Sequence, residues 1–347
     1  MRPLQPTDVL VRVRASGLCH TDLEVIDGQI ARPLPIVLGH EGAGIVEAIG
    51  ADVSRVKPGD HVICSWNPNC GHCYYCDLGL PILCEPVTGN HPRGLLLDGR
   101  SRLSLATDAP LHHFLMVSSH AEFCVVPEAG AVAVPKEIPF DRACTIGCAV
   151  MTGYGAATRV APVAKGSSVV IVGCGAVGLN VIQGALARDA ACIIAIDPDT
   201  VRREHATTFG ATDVIDPSTG DAIAAVRALT RGRGADFAFE AAGNEDAMRL
   251  AMEAARPGAD VVILGKLEVR RDLRLRFGSL MGEKRIVRSS YGGARPRVDF
   301  PALARLYLDG KLKLDELVTH RLRLDDINQG FAAMKDHGTL RAVILFD

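Results

Sequence analysis

Cys70-Gly-His-Cys73-Tyr-Tyr-Cys76-Asp-Leu-Gly-Leu-Pro-Ile-Leu-Cys84 sets four thiols in one short stretch, with the spacing C-x2-C-x2-C-x7-C. Two-residue gaps let a chain fold back around one tetrahedral Zn2+, with Zn–S distances of about 2.3 Å. Four thiolates close the coordination sphere, so such an ion holds structure and leaves no position for substrate. The competing readings are a chance cluster or a disulfide framework, and four regular spacings favour the metal. Two more thiols and an imidazole stand far apart: Cys19 in Cys19-His20-Thr21-Asp22, His40 in Gly39-His40-Glu41-Gly42, and Cys148 in Ile146-Gly147-Cys148. Two thiolates and one imidazole are one ligand set for a catalytic zinc whose fourth position takes water or substrate. Each residue alone is ambiguous, because a lone buried Cys is usually a small core hydrophobe. What joins them is that Cys148 falls just before a nucleotide-binding pattern.

That pattern is Val169-Val-Ile-Val-Gly173-Cys-Gly175-Ala-Val177-Gly178, a G-x-G-x-x-G run directly after a strand and opening a helix. The first glycine makes the tight turn, the second lets backbone approach a pyrophosphate, and the third lets helix pack on strand. Phosphate then sits at a helix N-terminus, where free N–H groups favour negative charge. The next strand ends at Asp197, whose carboxylate suits the ribose hydroxyls and repels a 2′-phosphate, so the cofactor is read as NAD rather than NADP.

These groups need elements to hold them. Residues 1–149 carry short β-branched runs (Val9–Val13, Gly44–Ile49, His61–Cys64, Phe123–Val126) among Gly and Pro, which predicts an irregular, mostly antiparallel β domain. From 150 to 290 the texture changes. Strand-like runs at Ser168–Val172, Ala191–Ile196, Asp213–Ile215, Asp236–Glu240, Asp260–Leu264 and Ile286–Ser290 alternate with helical runs at Val177–Arg188, Val201–Phe209, Asp221–Thr230 and Glu245–Ala255. Such alternation builds a doubly wound parallel sheet. Residues 291–347 are expected to return to the first domain with helices Phe300–Asp309 and Leu324–Lys335 and a strand Arg341–Phe346. The fold class is therefore α/β, with a β-rich domain carrying a zinc lobe at 66–86 and a Rossmann domain. The run from Arg270 to Phe277 alternates arginine with Leu273, Leu275 and Phe277 and reads as a strand with one solvated face.

A net charge of −2 argues against nucleic acid or an acidic membrane surface as partner. The apolar stretch from Ser167 to Ala187 is interrupted by glycines, Asn180 and Gln183, so it reads as strand, turn and helix rather than a membrane span. No signal-peptide h-region is visible, and metal accounts for six of the 11 cysteines, leaving free thiols suited to a reducing compartment. A cytoplasmic protein is expected.

With these motifs in this order, together with Gly147-Cys148-x3-Thr152-Gly153-Tyr154-Gly155 and Arg341 before the last strand, the chain resembles the zinc-containing medium-chain alcohol dehydrogenases. The likeness is to their liver-type and aryl-alcohol branch. The resemblance implies a GroES-like catalytic domain, two zinc ions per chain, NAD and a homodimer formed near Ser289–Arg297. It assigns Cys19, His40 and Cys148 to catalytic zinc with Glu41 close behind, and Asp22 to the far nitrogen of His40. Thr21 would take the alcohol proton. His20 and Arg341 would contact pyrophosphate, Arg202 the adenosine ribose, and Thr152 and Val177 the cofactor more generally. Ile30, Trp66, Phe114, Leu115 and Tyr291 match the substrate pocket, and their bulk suits an aromatic or longer aliphatic alcohol.

The sequence also departs from that pattern. Members of the family carry early strands before Arg2, and their absence predicts open sheet edges. The proton relay usually ends in a histidine where this chain has Glu24. Lys266 replaces an apolar neighbour of the nicotinamide, and Met116 and His120 replace a glycine and an aromatic. Ile30 and Thr88 stand where glutathione-using relatives need polar groups, which disfavours S-hydroxymethylglutathione. The alternatives are a formaldehyde dehydrogenase working on such a thiol adduct, and a non-catalytic nucleotide-binding protein. Intact Cys19, His40 and Cys148 argue against the latter.

Overall fold

The computed structural model describes residues 2–268, 270–334 and 339–347. The chain divides into two compact units, Met1–Cys148 with Ala294–Asp347, and Ala149–Gly293.

The first unit begins with strands β1 (Asp8–Gly17), β2 (Ile36–Val37), β3 (Glu41–Ile49), β4 (His61–Cys64), β5 (Leu103–Ser104), β6 (Pro110–His113), β7 (Phe123–Pro127) and β8 (Ala131–Ala133). Its early helices are α1 (His20–Ile26), α2 (Tyr74–Asp77), α3 (Glu85–Asn90) and α4 (Phe140–Thr145). In β1 every second residue from Val9 to Ala15 is buried, as one face of a pleated strand requires.

The second unit holds β9 (Ser168–Val172), β10 (Cys192–Ile196), β11 (Asp213–Ile215), β12 (Ala235–Glu240), β13 (Ala255–Ile263) and β14 (Arg285–Arg288). Helix α5 (Met151–Gly155) precedes β9, and between the strands lie α6 (Ala176–Ala187), α7 (Thr200–Phe209), α8 (Ala222–Leu229) and α9 (Glu245–Ala254). All neighbours in this sheet are parallel, in the order β11-β10-β9-β12-β13-β14. That is the doubly wound dinucleotide order. Helix starts follow capping chemistry: the side chains of Asp199, Asp221 and Asn244 accept from backbone N–H groups of the first turns of α7, α8 and α9. β9, its turn and α6 together account for the apolar stretch from Ser167, and no helix among the described residues is long and apolar enough to cross a membrane.

The chain returns to the first unit with α10 (Pro296–Leu308), β15 (Val318–Leu322), α11 (Ile327–Ala333) and β16 (Arg341–Leu345). The order of its main sheet is β15-β16-β1-β3-β4-β8, with β7 also pairing β1. Antiparallel pairing sets Gly17 opposite both Glu41 and Val343. The end of β1, the start of β3 and the start of β16 therefore lie side by side.

Three expectations need correcting. Residues 270–277 form no strand; they run through a turn and irregular chain into a short 3-10 turn at Phe277–Ser279. Alternation alone does not make a strand without a neighbour, and the outer edge of β13 is already taken by β14. The helix expected at Leu324–Lys335 is a 3-10 turn, Leu324–Asp326, followed by α11, and Lys335 lies outside the described residues. The outer strand of the parallel sheet ends at Arg288, so Ser289–Arg297 is not its edge; that segment turns into α10.

Candidate active site and metal centres

The strand ends bring the chemistry together. Cys19 follows β1 and caps α1, His40 immediately precedes β3, and Arg341 opens β16. Helix α4 packs on β1 and β3 and runs into a π-helical turn, Ile146–Val150, that carries Cys148. Such turns widen a helix by one residue per hydrogen-bond ring and recur at functional sites. The result is a cluster in which one donor atom each from Cys19, His40, Glu41 and Cys148 lies within 4.8 Å of the others. Gly17 makes room for it, because a Cβ there would stand 2.4 Å from the Glu41 carboxylate.

Asp22 is fully buried behind this cluster. Its carboxylate lies 3.2 Å from Nδ1 of His40 and accepts the N–H groups of Cys19 (3.2 Å) and Gly39 (2.9 Å). Holding Nδ1–H leaves Nε2 of His40 as a donor for a metal. Glu41 is also fully buried, and its carboxylate lies 3.3 Å from the Arg341 guanidinium, which donates to the Leu18 carbonyl at 3.3 Å. Burial pushes Glu41 up to about 8 against the opposing pull of Arg341. A hydrogen bond with Cys148 draws the Cys19 thiol well below its ordinary range, and the same bond with burial drives Cys148 well above its own. Burial works against charge on His40, but Asp22 and Cys19 hold it well above the usual imidazole range. Two thiols competing for one negative charge beside an imidazole fit a divalent cation, which lets both ionise.

Thr21 and Glu24 lie three apart on α1, both half-buried, while His20 is exposed. Phe114 is buried and meets the His40 ring edge-on at 5.6 Å. Leu115, Met116 and Ser118 follow with φ of 50°, 58° and 60°, a left-handed turn built without glycine. Trp66 sits 6.2 Å from the His91 ring and packs on the sheet core, and Ile30 is half-buried. Tyr291 belongs to the second unit, where it is buried.

In the four-cysteine lobe, Cys73 and Cys84 cap α2 and α3, and all four sulfurs lie within 4.8 Å of one another. Backbone N–H groups point at the sulfurs; that of Cys70 reaches Cys84 Sγ at 3.2 Å. Burial raises Cys73, but N–H groups of Glu85 and Cys76 outweigh it and bring the thiol down to about 6. Burial pushes Cys84 up to about 12. Four convergent thiols with that spread of acidity suit one cation that neutralises them together.

In the second unit the three glycines do separate jobs. Gly173 has φ of 98°, and a Cβ on Gly178 would stand 1.9 Å from the Gly173 carbonyl oxygen, while a Cβ on Gly175 would meet nothing within 4 Å. The open space at Gly175, at the N-terminus of α6, is where backbone can approach a pyrophosphate. The Asp197 carboxylate accepts from Cys174 N–H (2.8 Å) and Asp199 N–H (2.9 Å), so it is aimed at the same loop. Arg202 and Val177 are half-buried nearby in sequence, and Thr152 is half-buried on α5. Sequence reasoning missed Glu240, which ends β12 and accepts from the N–H groups of Ala242, Gly243 and Gly265, tying two loops together. A buried acid at a strand end before Ala-Ala-Gly was the available signal. It also missed Ser16 and Ser119, hydroxyls that only the fold brings to each other and to the His120 ring.

The profile for the "Alcohol dehydrogenase GroES-like domain" matches residues 5–136, and that for "Zinc-binding dehydrogenase" matches 176–309. S-(hydroxymethyl)glutathione dehydrogenase of Saccharomyces cerevisiae is 38% identical over 98% of this chain and 90% of its own length. Alcohol dehydrogenase class-3 of Cereibacter sphaeroides is 36% identical over 98% and 93%. The crystal structure of benzyl alcohol dehydrogenase from Acinetobacter calcoaceticus superposes with a TM-score of 0.94 at 35% identity, covering 100% of this chain and 94% of that one. The chain belongs to the zinc-dependent medium-chain alcohol dehydrogenases. It is an NAD-dependent zinc enzyme of that family.

Proposed function

We propose that this chain interconverts an alcohol with its aldehyde or ketone at the Cys19–His40–Cys148 cluster, using NAD. The observation that carries the reading is the convergence of two thiols and an imidazole from three separate elements, with Asp22 on the far ring nitrogen. Bound zinc supplies a Lewis acid that acidifies a hydroxyl and polarises a carbonyl. The chain's residues do the rest. Asp22 fixes the tautomer of His40. Glu41 stands behind the cluster with its charge balanced by Arg341. Thr21 takes the hydroxyl proton, and Glu24, one turn on along α1, is the next carrier. Gly173, Gly175, Val177 and Gly178 cradle the pyrophosphate. Asp197 and Arg202 hold the adenosine ribose, and Thr152 contacts the cofactor. Cys70, Cys73, Cys76 and Cys84 hold the second, structural zinc.

For the substrate, the names of the curated relatives support a thiol adduct of formaldehyde better than the aromatic or longer aliphatic alcohol expected from Ile30, Trp66, Phe114, Leu115 and Tyr291. Thr88, expected to disfavour glutathione, spends its hydroxyl on the Cys84 and Glu85 carbonyls, so its side chain says little about substrate. The benzyl alcohol dehydrogenase structure supports the aromatic reading. NADH formation from formaldehyde with and without glutathione, set beside benzyl alcohol, separates the two. Glutathione-dependent turnover exceeding that with benzyl alcohol is expected, and turnover of benzyl alcohol alone sinks the thiol-adduct reading. Metal analysis should find two zinc per chain; one would favour a retired, non-catalytic descendant.

We also propose a homodimer. Strand β14 pairs only with β13 among the described residues and is accompanied by exposed Phe277, Met281 and Ile286, the features of an edge that another copy covers. Sedimentation at the monomer mass would refute it. Eleven cysteines without a disulfide support a cytoplasmic setting.

A further inference from the structure

Asp22 has a second imidazole beside it. His120 has its side chain 4% exposed, and its Nε2 lies 3.8 Å from Oδ1 of Asp22. Its Nδ1 lies 2.9 Å from the Ser16 hydroxyl, which lies 2.7 Å from the Ser119 hydroxyl. The loop is fixed by backbone bonds: Ser119 N–H donates to the Gly39 carbonyl and His120 N–H to that of Leu38. Burial pushes His120 down to about 4, so the ring is neutral and carries one proton. Were that proton on Nδ1, the Nε2 lone pair would face the Asp22 carboxylate. On Nε2, the N–H dipole faces it instead. The carboxylate therefore selects the Nε2–H tautomer. Nδ1 then accepts from Ser16, and Ser16 accepts from Ser119, so every hydroxyl proton has a place.

We propose that His120 is a positioning residue that shares the Asp22 carboxylate with His40 and so moderates how strongly that carboxylate grips the metal-binding ring. The distance is too long for a hydrogen bond. Between fully buried groups, however, a dipole facing a charge is screened far less than in water. A carboxylate on the far nitrogen of a ligating histidine raises the basicity of that ligand. A second N–H dipole directed at the same oxygen draws off part of that charge. The proposal rests on the reading that Cys19, His40 and Cys148 hold zinc.

The test is zinc release to a chelator from the full-length protein, with the four-cysteine zinc as internal reference. His120→Phe removes the N–H and keeps a ring that fits beside Phe331, its edge-on neighbour at 6.0 Å. It should slow release from the catalytic site several-fold, less than the roughly 10–100-fold that follows loss of a direct outer partner. His120→Gln, which keeps an N–H donor, should release at the wild-type rate. Ser16→Ala should act in the same direction as His120→Phe but less. A side chain that merely filled space would leave the rate unchanged or speed it, and either result with His120→Phe overturns the proposal. So does a Gln variant that behaves like Phe. If the wild-type protein itself holds a single zinc, the metal reading fails first and this proposal with it.

Discussion

The four-cysteine lobe and the Cys19–His40–Cys148 cluster use the same ligand chemistry and reach it by opposite routes. The lobe takes its sulfurs from consecutive turns, and its cysteines are half-buried except Cys84. Its geometry is local, set by helix caps and two-residue gaps. The cluster takes its ligands from the end of β1, the approach to β3 and a π turn after α4, and it buries Asp22 and Glu41 with them. Its geometry depends on register, because a one-residue slip of β1 against β3 would send Cys19 and His40 to different faces. The lobe should therefore fail as structure, and the cluster as chemistry.

Cys148→Ser gives the largest expected effect. Losing a Lewis acid worth several kcal/mol lowers kcat by about 10^3-fold or more, while NADH still binds by fluorescence titration and the melting temperature barely moves. Undiminished turnover would detach the cluster from the reaction. Cys73→Ser should invert the pattern. A structural zinc contributes roughly 10–16 kcal/mol in small zinc domains, and losing one ligand on the order of 4 kcal/mol of it lowers the melting temperature by about 10 °C. An unchanged melting curve would show that the lobe holds no structural ion.

The smallest effect lies behind the lobe and is read against pH. Burial, reinforced by Arg102, pushes His113 down to about 3, and burial pushes His91 down to about 4. The Nε2 atom of His113 accepts the Arg102 N–H at 3.1 Å, which a protonated ring could not do. An imidazole whose folded value is depressed contributes stability that is present above the unfolded value, near 6.5, and is lost as pH falls toward the folded one. Between pH 6.5 and 5 the unfolded chain takes up the proton and the folded chain does not, so His113 costs up to about 2 kcal/mol of stability across that window. Urea titrations should show this slope, and His113→Gln should flatten part of it. A variant with the wild-type slope would mean that other groups set the acid limit.

Much of this was legible in the chain because it rests on short-range rules. The alternation after Ser168 resolves the six parallel strands within a few residues, except that β13 begins at Ala255, directly after α9. The glycine run and Asp197 could be read because each glycine answers a steric demand made by its immediate neighbours. The π turn at Cys148 and the left-handed backbone at Leu115, Met116 and Ser118 could not, since both are imposed by what packs around them. Met116 shows the conflict: its left-handed φ disfavours a side chain, yet that side chain is 1% exposed, against Cys84, Val87 and Leu96. The Arg270–Phe277 run misled for the converse reason, a strand pattern with no strand beside it.

Residue order by itself determined the class of enzyme, the four-thiol lobe and the dinucleotide fold, because ligand spacing and backbone sterics act between near neighbours. Only tertiary structure decided which side chains surround Asp22, that Arg341 sits against Glu41, and that His40 faces two cysteines. Those partners come from strand ends far apart in the chain, and hydrogen-bond register, not local preference, sets them side by side.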